Sequence, residues 1–403
     1  MTQYTDYIGS GTAGATAKDY DTFALWIAAS ATETRSADDE LRVIFQSSST
    51  GHNGNHPFGG DLTVLDQDVD FTLTLSSTNL TGSGPMDGGL IMDDTANGGA
   101  NNDLELQAAG ADKTFNFNNL DISIGQNDRN INVQRDLSSD SDELGSNITL
   151  NFNNTRIVSP SSSNENGMIN CSPDAASLTG YQTFNFTNCI FSPAKHGLRQ
   201  FPGGGGQSSN IIVNGIGSSF FNARTTFFVP NRDSNSNFEL HLSGCMFEWT
   251  KSQGNPSFYN GLIRPFNSGY TSGTAIDYIT NESDSVVSKW TTDAGGTKTN
   301  VSAGATFVYG VEPTAGEIGF SGPIYGNNPF DLLAGTMDLR LWNSTNNAAS
   351  GFVSNVTLPS PDLAGRNRGS SPFDAGPYEI TAGSVGPIDT RPTFKIVRVN
   401  MYN

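Results

Sequence analysis

The chain has 403 residues, a formal net charge of −19 and a pI of about 4.4. A surface this acidic repels phosphate backbones and anionic lipid, and no basic stripe offsets it, so neither nucleic acid nor a membrane surface is an expected partner. Cys171, Cys189 and Cys245 lack the number and spacing of a disulfide framework or a CxxC zinc site and read as buried free thiols.

The opening "MTQYTDYIGSGTAGATAKDYD" has no basic region followed by an apolar run, so the expectation is synthesis in a cytoplasm without a secretion signal. No apolar stretch approaches the roughly 18 residues of a membrane span. "DYDTFALWIAASA" at 19–31 predicts a helix, with Asp21 or Thr22 as its cap. Its Phe23, Leu25, Trp26 and Ile27 are assigned to the first strands as a lid.

Beyond it, apolar and polar residues alternate in short runs between turn formers, the pattern of half-buried strands. Strands are predicted at 41–45, 61–65, 70–75 and 103–107. A phrase then repeats: "TFNFNNLDI" at 114–122, "TLNFNNTRI" at 149–157 and "TFNFTNCIF" at 183–191. Aligned forward, Phe115/Phe117, Leu150/Phe152, Phe184/Phe186, Ile211/Val213 and Leu240/Leu242 occupy equivalent positions, in steps of 35, 34, 27 and 29 residues.

Two residues after each pair stand Asn119, Asn154, Asn188, Gly215 and Gly244. Asn and Gly exchange there because both tolerate the left-handed backbone of a sharp corner. This predicts a ladder of corner residues whose asparagine amides hydrogen-bond from one repeat to the next. Past the corner a second strand carries the inward candidates Leu120/Ile122, Thr155/Ile157, Cys189/Phe191, Ile216/Ser218 and Cys245/Phe247. A third strand follows at 130–133, 167–170, 197–200, 226–229 and 261–264. Copies that pair in one direction with no helix between them predict an all-β fold, a single-chain parallel β-helix.

The chemistry-bearing residues favour bland roles. The outward rows read Asn116, Asn151, Asn185, Ile212, His241 and Asp121, Arg156, Ile190, Gly217, Met246, with no adjacent carboxylate pair for glycoside hydrolysis. Asp121 beside Arg156 reads as a surface ion pair. Asp66, Asp68 and Asp70 alternate along a strand nearly 7 Å apart, too far to chelate one calcium ion together. His52 and His56 lie in a Gly- and Asn-rich loop, and "PGGGG" lacks the Lys-Ser/Thr of a phosphate loop. No catalytic residue, metal or cofactor is assigned.

Two segments carry a resemblance. "IGSGTAGATAKDYDTFALWIAAS" resembles the opening of parallel β-helix proteins from tailed bacteriophages. "TMDLRLWNS" followed by "PDLAGRNRGSSPFDAGPYEI" is similar to the closing segment of pectate-lyase-like β-helices, on Asp362, Gly365, Arg368, Asp374, Gly376, Tyr378 and Glu379. The resemblance implies a right-handed coil with an N-terminal strand and capping helix (1–40), coils (41–340) and a C-terminal cap with a terminal arm (341–403). Arg391, Phe394, Lys395, Ile396 and Arg398 in that arm form a locally basic strand, a candidate docking element in an acidic protein.

The function these observations predict is a structural virion protein, a capsid decoration or cement protein on the head of a tailed phage. Its partners would be capsid or other virion proteins, with a homo-oligomer, trimeric among the resembling proteins. The alternative is a tail-associated β-helix that binds or degrades host surface glycan.

Overall fold

Period-two alternation places every second side chain on one face of a strand, so a chain built from such runs buries its apolar set only by pairing strands in register. A computed structural model describes residues 3–8, 18–20, 25–26, 29, 39–45, 55–58, 62–64, 71–77, 89–92, 104–106, 111–124, 131–133, 145–158, 167–171, 178–192, 196–200, 210–221, 226–229, 237–248, 261–263, 277–283, 285–287, 307–309 and, toward the C-terminus, 357–363, 367–370, 372–374, 376–377 and 379. Among these residues the protein is mostly β-strand, arranged in three parallel sheets.

Sheet A is ten-stranded, in the order β2 (Lys18–Tyr20), β1 (Gln3–Ile8), β3 (Asp39–Phe45), β6 (Phe71–Ser77), β9 (Lys113–Asn118), β12 (Ile148–Asn153), β15 (Tyr181–Thr187), β18 (Asn210–Ile216), β21 (Asn237–Ser243), β24 (Asp277–Ser283). Sheet B is nine-stranded, running from β4 (Asn55–Phe58) and β7 (Gly89–Met92) through β10 (Asp121–Ile124), β13 (Arg156–Val158), β16 (Ile190–Ser192), β19 (Ser219–Phe221) and β22 (Met246–Glu248) to β25 (Ser285–Val287) and β26 (Phe307–Tyr309). Sheet C is seven-stranded, from β5 (Leu62–Val64) and β8 (Leu104–Leu106) through β11 (Ile131–Val133), β14 (Gly167–Cys171), β17 (His196–Gln200) and β20 (Thr226–Val229) to β23 (Gly261–Ile263). From β3 to β23 the chain visits A, B and C in that order without exception, and each strand pairs with the strand three places on. The strands predicted at 41–45, 61–65, 70–75 and 103–107 are β3, β5, β6 and β8, and the third strands of each repeat are β11, β14, β17, β20 and β23.

The inward rows of sheet A make the core. Phe115, Leu150, Phe184 and Val213 form one row, and Phe117, Phe152 and Phe186 the next, all essentially inaccessible to solvent. The second row stacks its rings face to face, Phe117 on Phe152 at 4.8 Å and Phe152 on Phe186 at 5.1 Å. In-register parallel pairing forces this, because identical residues then sit one strand spacing apart.

The register corrects the alignment at the fourth repeat. Val213, not Ile211, pairs with Phe184, and Gly215 pairs with Phe186. The corner residue there is therefore Gly217, and Gly215 lies within β18 in the core. Positive φ occurs at Asn119, Asn154, Asn188, Gly217 and Gly244, giving periods of 35, 34, 29 and 27 residues. The inward pair of the next strand moves with it, to Ser218 and Phe220, while Ile216 is 37% exposed. The sequence is ambiguous because "NIIVNGIGSSFF" alternates correctly in either register. Packing decides: Phe220 meets Phe186 edge-on at 5.7 Å, and a Cβ on Gly215 would lie 3.0 Å from Cys245 Sγ and from Leu242 Cδ2. A side chain at 215 would collide with the rings and sulfur that fill its place.

Corner and core glycines should therefore respond differently to substitution. Gly217→Ala holds an L-residue at φ +54° and is expected to cost about 1–2 kcal/mol, whereas Gly217→Asn restores the residue found at three other corners and costs less. Urea unfolding of the two variants beside the wild type measures the difference.

At the N-terminus the structure describes only part of the predicted helix, and Asp19 and Tyr20 at its start belong to a strand. Lys18–Tyr20 is a strand paired with β1, and helical backbone occurs at Leu25, Trp26 and Ala29. Trp26 is fully buried and donates its indole N–H to Asp6 in β1 at 2.9 Å, while Leu25, assigned to the core, is 54% exposed. Among the described residues, Trp26 thus fastens this segment to β1 through a buried polar anchor.

Candidate functional site

Two polar arrays remain once the core is accounted for. The first is the outer face of sheet A. Register brings Asn116, Asn151, Asn185 and Asn214 into one row, with His241 beside Asn214, so the row holds Asn214 where the alignment expected Ile212. Asn151 Nδ2 donates to Asn116 Oδ1 at 2.8 Å, Asn185 to Asn151 at 2.6 Å and Asn214 to Asn185 at 2.7 Å. Two residues further along the strands, Asn153 donates to Asn118 at 2.9 Å. His241 contacts Glu239 of its own strand at 3.2 Å.

The amide ladder expected at the corner is shorter than this one. Asn188 Nδ2 donates to Asn154 Oδ1 at 2.7 Å, and the Asn119 corner is joined to the next repeat through its backbone, Asn119 N to Asn153 O at 2.9 Å. The same backbone bond recurs from Asn154 to Thr187, Asn188 to Ile216 and Gly217 to Ser243. What the corners share is this backbone geometry, which is why Gly217 and Gly244 serve without an amide.

Just past each corner Leu120, Thr155, Cys189, Ser218 and Cys245 form an interior file. Thr155 Oγ1 donates to Phe117 O at 2.8 Å, Cys189 Sγ to Phe152 O at 3.0 Å and Ser218 Oγ to Phe186 O at 3.0 Å. Hydroxyl and thiol are interchangeable here because the position needs one small donor aimed at the preceding repeat. Burial pushes the Cys189 and Cys245 thiols up to about 12, so both are inert as nucleophiles or metal ligands near neutral pH. Cys189→Ser should leave the melting temperature nearly unchanged, and Cys189→Ala should lower stability by about 1 kcal/mol through the unmet carbonyl. A thiol reagent should label Cys189 only as the protein unfolds.

The second array joins the C-terminal segment to the middle of the stack. Arg368, with 1% of its side chain exposed, donates to Pro359 O at 2.8 Å, Gly376 O at 2.9 Å and Asn188 Oδ1 at 3.3 Å, and pairs with Glu379 at 2.9 Å. Asp362 accepts from Glu379 N at 3.0 Å, and Gly376 N donates to Gly244 O at 2.9 Å, extending the corner's backbone pattern. Gly217 faces this segment, with Pro359 Cδ and Leu358 Cδ2 within 3.4–3.6 Å of where a Cβ would stand. Asp362, Arg368 and Asp374 are all buried, as is Arg156, which the sequence placed on the surface opposite Asp121. Burial pushes the Glu379 carboxyl up, Asp374 adds to the shift and Arg368 opposes it.

Asp66, Asp68, Asp70, His52 and the arm residues Arg391, Phe394, Lys395, Ile396 and Arg398 lie outside the described residues. Among the described residues no group of three His, Cys, Asp or Glu side chains converges as a metal site would require. No known protein family, curated protein or solved structure matches this chain.

Proposed function

We propose that the three sheets are the walls of one right-handed parallel β-helix and that the protein is a structural component of a virus particle, a decoration or cement protein on the head of a tailed bacteriophage. The strand order supports the coil: a chain that meets sheets A, B and C in unbroken rotation, with every pairing parallel, is accommodated by stacked turns. The observation that carries the structural role is the use made of the repeated residues. The asparagines and phenylalanines bond or stack with their own counterparts in adjacent repeats, and the Thr/Cys/Ser file donates to backbone carbonyls of the preceding repeat, so the repetition serves a stiff rod. The phage assignment rests on the resemblance of the opening and closing segments.

The test is location. Particles carrying this chain, disrupted gently and fractionated, should release it in many copies with the heads. Few copies, fractionating with tails and producing new reducing ends from host polysaccharide, would instead place it among glycan-active tail proteins.

A further inference from the structure

The outward positions of β9, β12, β15 and β18 carry only Thr, Asn, Ile and one Tyr: fourteen positions without a charge, in a chain of net charge −19. Depletion of charge is the compositional mark of an interface core, and like-charge repulsion opposes self-association of this protein across any acidic face. The amide ladder adds a second property. Asn151 and Asn185 each spend one N–H and one lone pair along the row and carry a second of each, so the face offers donors and acceptors alike. Stacked amide ladders are suited to dry contact between paired sheets.

Size points the same way. Ten strands spaced about 4.8 Å apart, five or six residues wide, give a face of about 800 Å². That is about what each partner buries in a stable protein–protein interface.

The charged pair that borders the neutral region on β21 sets the arrangement. Register places Glu239 and His241 of β21, which contact each other at 3.2 Å, on the two rows that Thr114 and Asn116 occupy in β9. A two-fold axis along the stacking direction lays each strand antiparallel to its own counterpart. Each position then meets the position two residues away, so that His241 lies opposite Glu239 of the partner subunit. We propose that the outer face of sheet A is an isologous interface, on which a second copy of this chain docks face to face with both stacks pointing the same way.

Sedimentation equilibrium of the full chain over about two decades of concentration tests this. The expected result is a monomer–dimer equilibrium that strengthens with salt as the net charges are screened. Thr183→Asp buries a carboxylate opposite Asn185 of the partner subunit, with the second carboxylate diagonally across the axis, and should weaken association about a hundredfold, while Thr357→Asp, exposed and off the face, should not. An equimolar mixture of Thr183→Asp and Thr183→Lys should restore association, an outcome a folding defect cannot produce. A monomer at every concentration, equal behaviour of Thr183→Asp and Thr357→Asp, or failure of the mixture would each overturn the proposal. So would a monomer that a neutral dextran retards in a native gel, which would assign the face to a glycan.

Discussion

Arg368→Ala is expected to destabilise the protein by about 3–5 kcal/mol, one of the two largest single effects predicted here. The guanidinium reaches two backbone carbonyls, the Asn188 amide oxygen and the Glu379 carboxylate, at 2.8–3.3 Å. Removing it leaves those acceptors without their donor and the half-buried Glu379 carboxylate without the guanidinium that pairs with it. Arg368→Lys keeps the charge but not the fork, and should recover less than half of the loss. Urea unfolding measures the effect, and limited proteolysis between 357 and 379 should become faster in both variants, because this segment is held to the stack by that side chain.

The same cluster has a pH signature. A carboxyl whose folded pKa is raised contributes stability below its unfolded pKa and loses it as pH rises through the folded value. Glu379 is in that position, so acidification through the carboxylate range should add stability at this site. The difference in unfolding free energy between wild type and Glu379→Gln should therefore change with pH in that range, with the wild type gaining relative to the variant as pH falls. A difference that stays flat would mean that Glu379 titrates alike in the folded and unfolded chain.

Phe152→Ala is expected to cost about 3–5 kcal/mol. Its ring is fully buried between Phe117 and Phe186, nearly parallel to both at interplanar angles of 14° and 8°. Backbone pairing holds the neighbouring strands at their spacing, so the cavity cannot collapse without breaking the ladder on both sides. Phe152→Leu fills most of the volume and should cost less than half as much. A variant as stable as the wild type would mean that the row is not continuous.

The gap between these predictions and the opening alignment lies at the fourth repeat. Asn119, Asn154 and Asn188 were legible as corners because Asn flanked by alternating apolar residues marks a left-handed turn whatever surrounds it. Gly215 and Gly217 were not separable, since both are glycines in an alternating run and shifting the register by two keeps every side chain on its face. The choice fell to Phe220 and Cys245, which occupy the space that Gly215 leaves. Reading Gly215 as the corner also hid Asn214, and with it the continuous outer ladder.

Local physics thus determined the strands, their period, the corner asparagines and the burial of the cysteines, because alternation and left-handed turns are properties of a few neighbouring residues. Tertiary structure alone decided which glycine turns the chain at the fourth repeat, which asparagines stack on the outer face, and that Arg368 binds Asn188 from 180 residues away. Those choices depend on which side chains fill a shared space and satisfy each other's hydrogen bonds, and no stretch of sequence contains both partners.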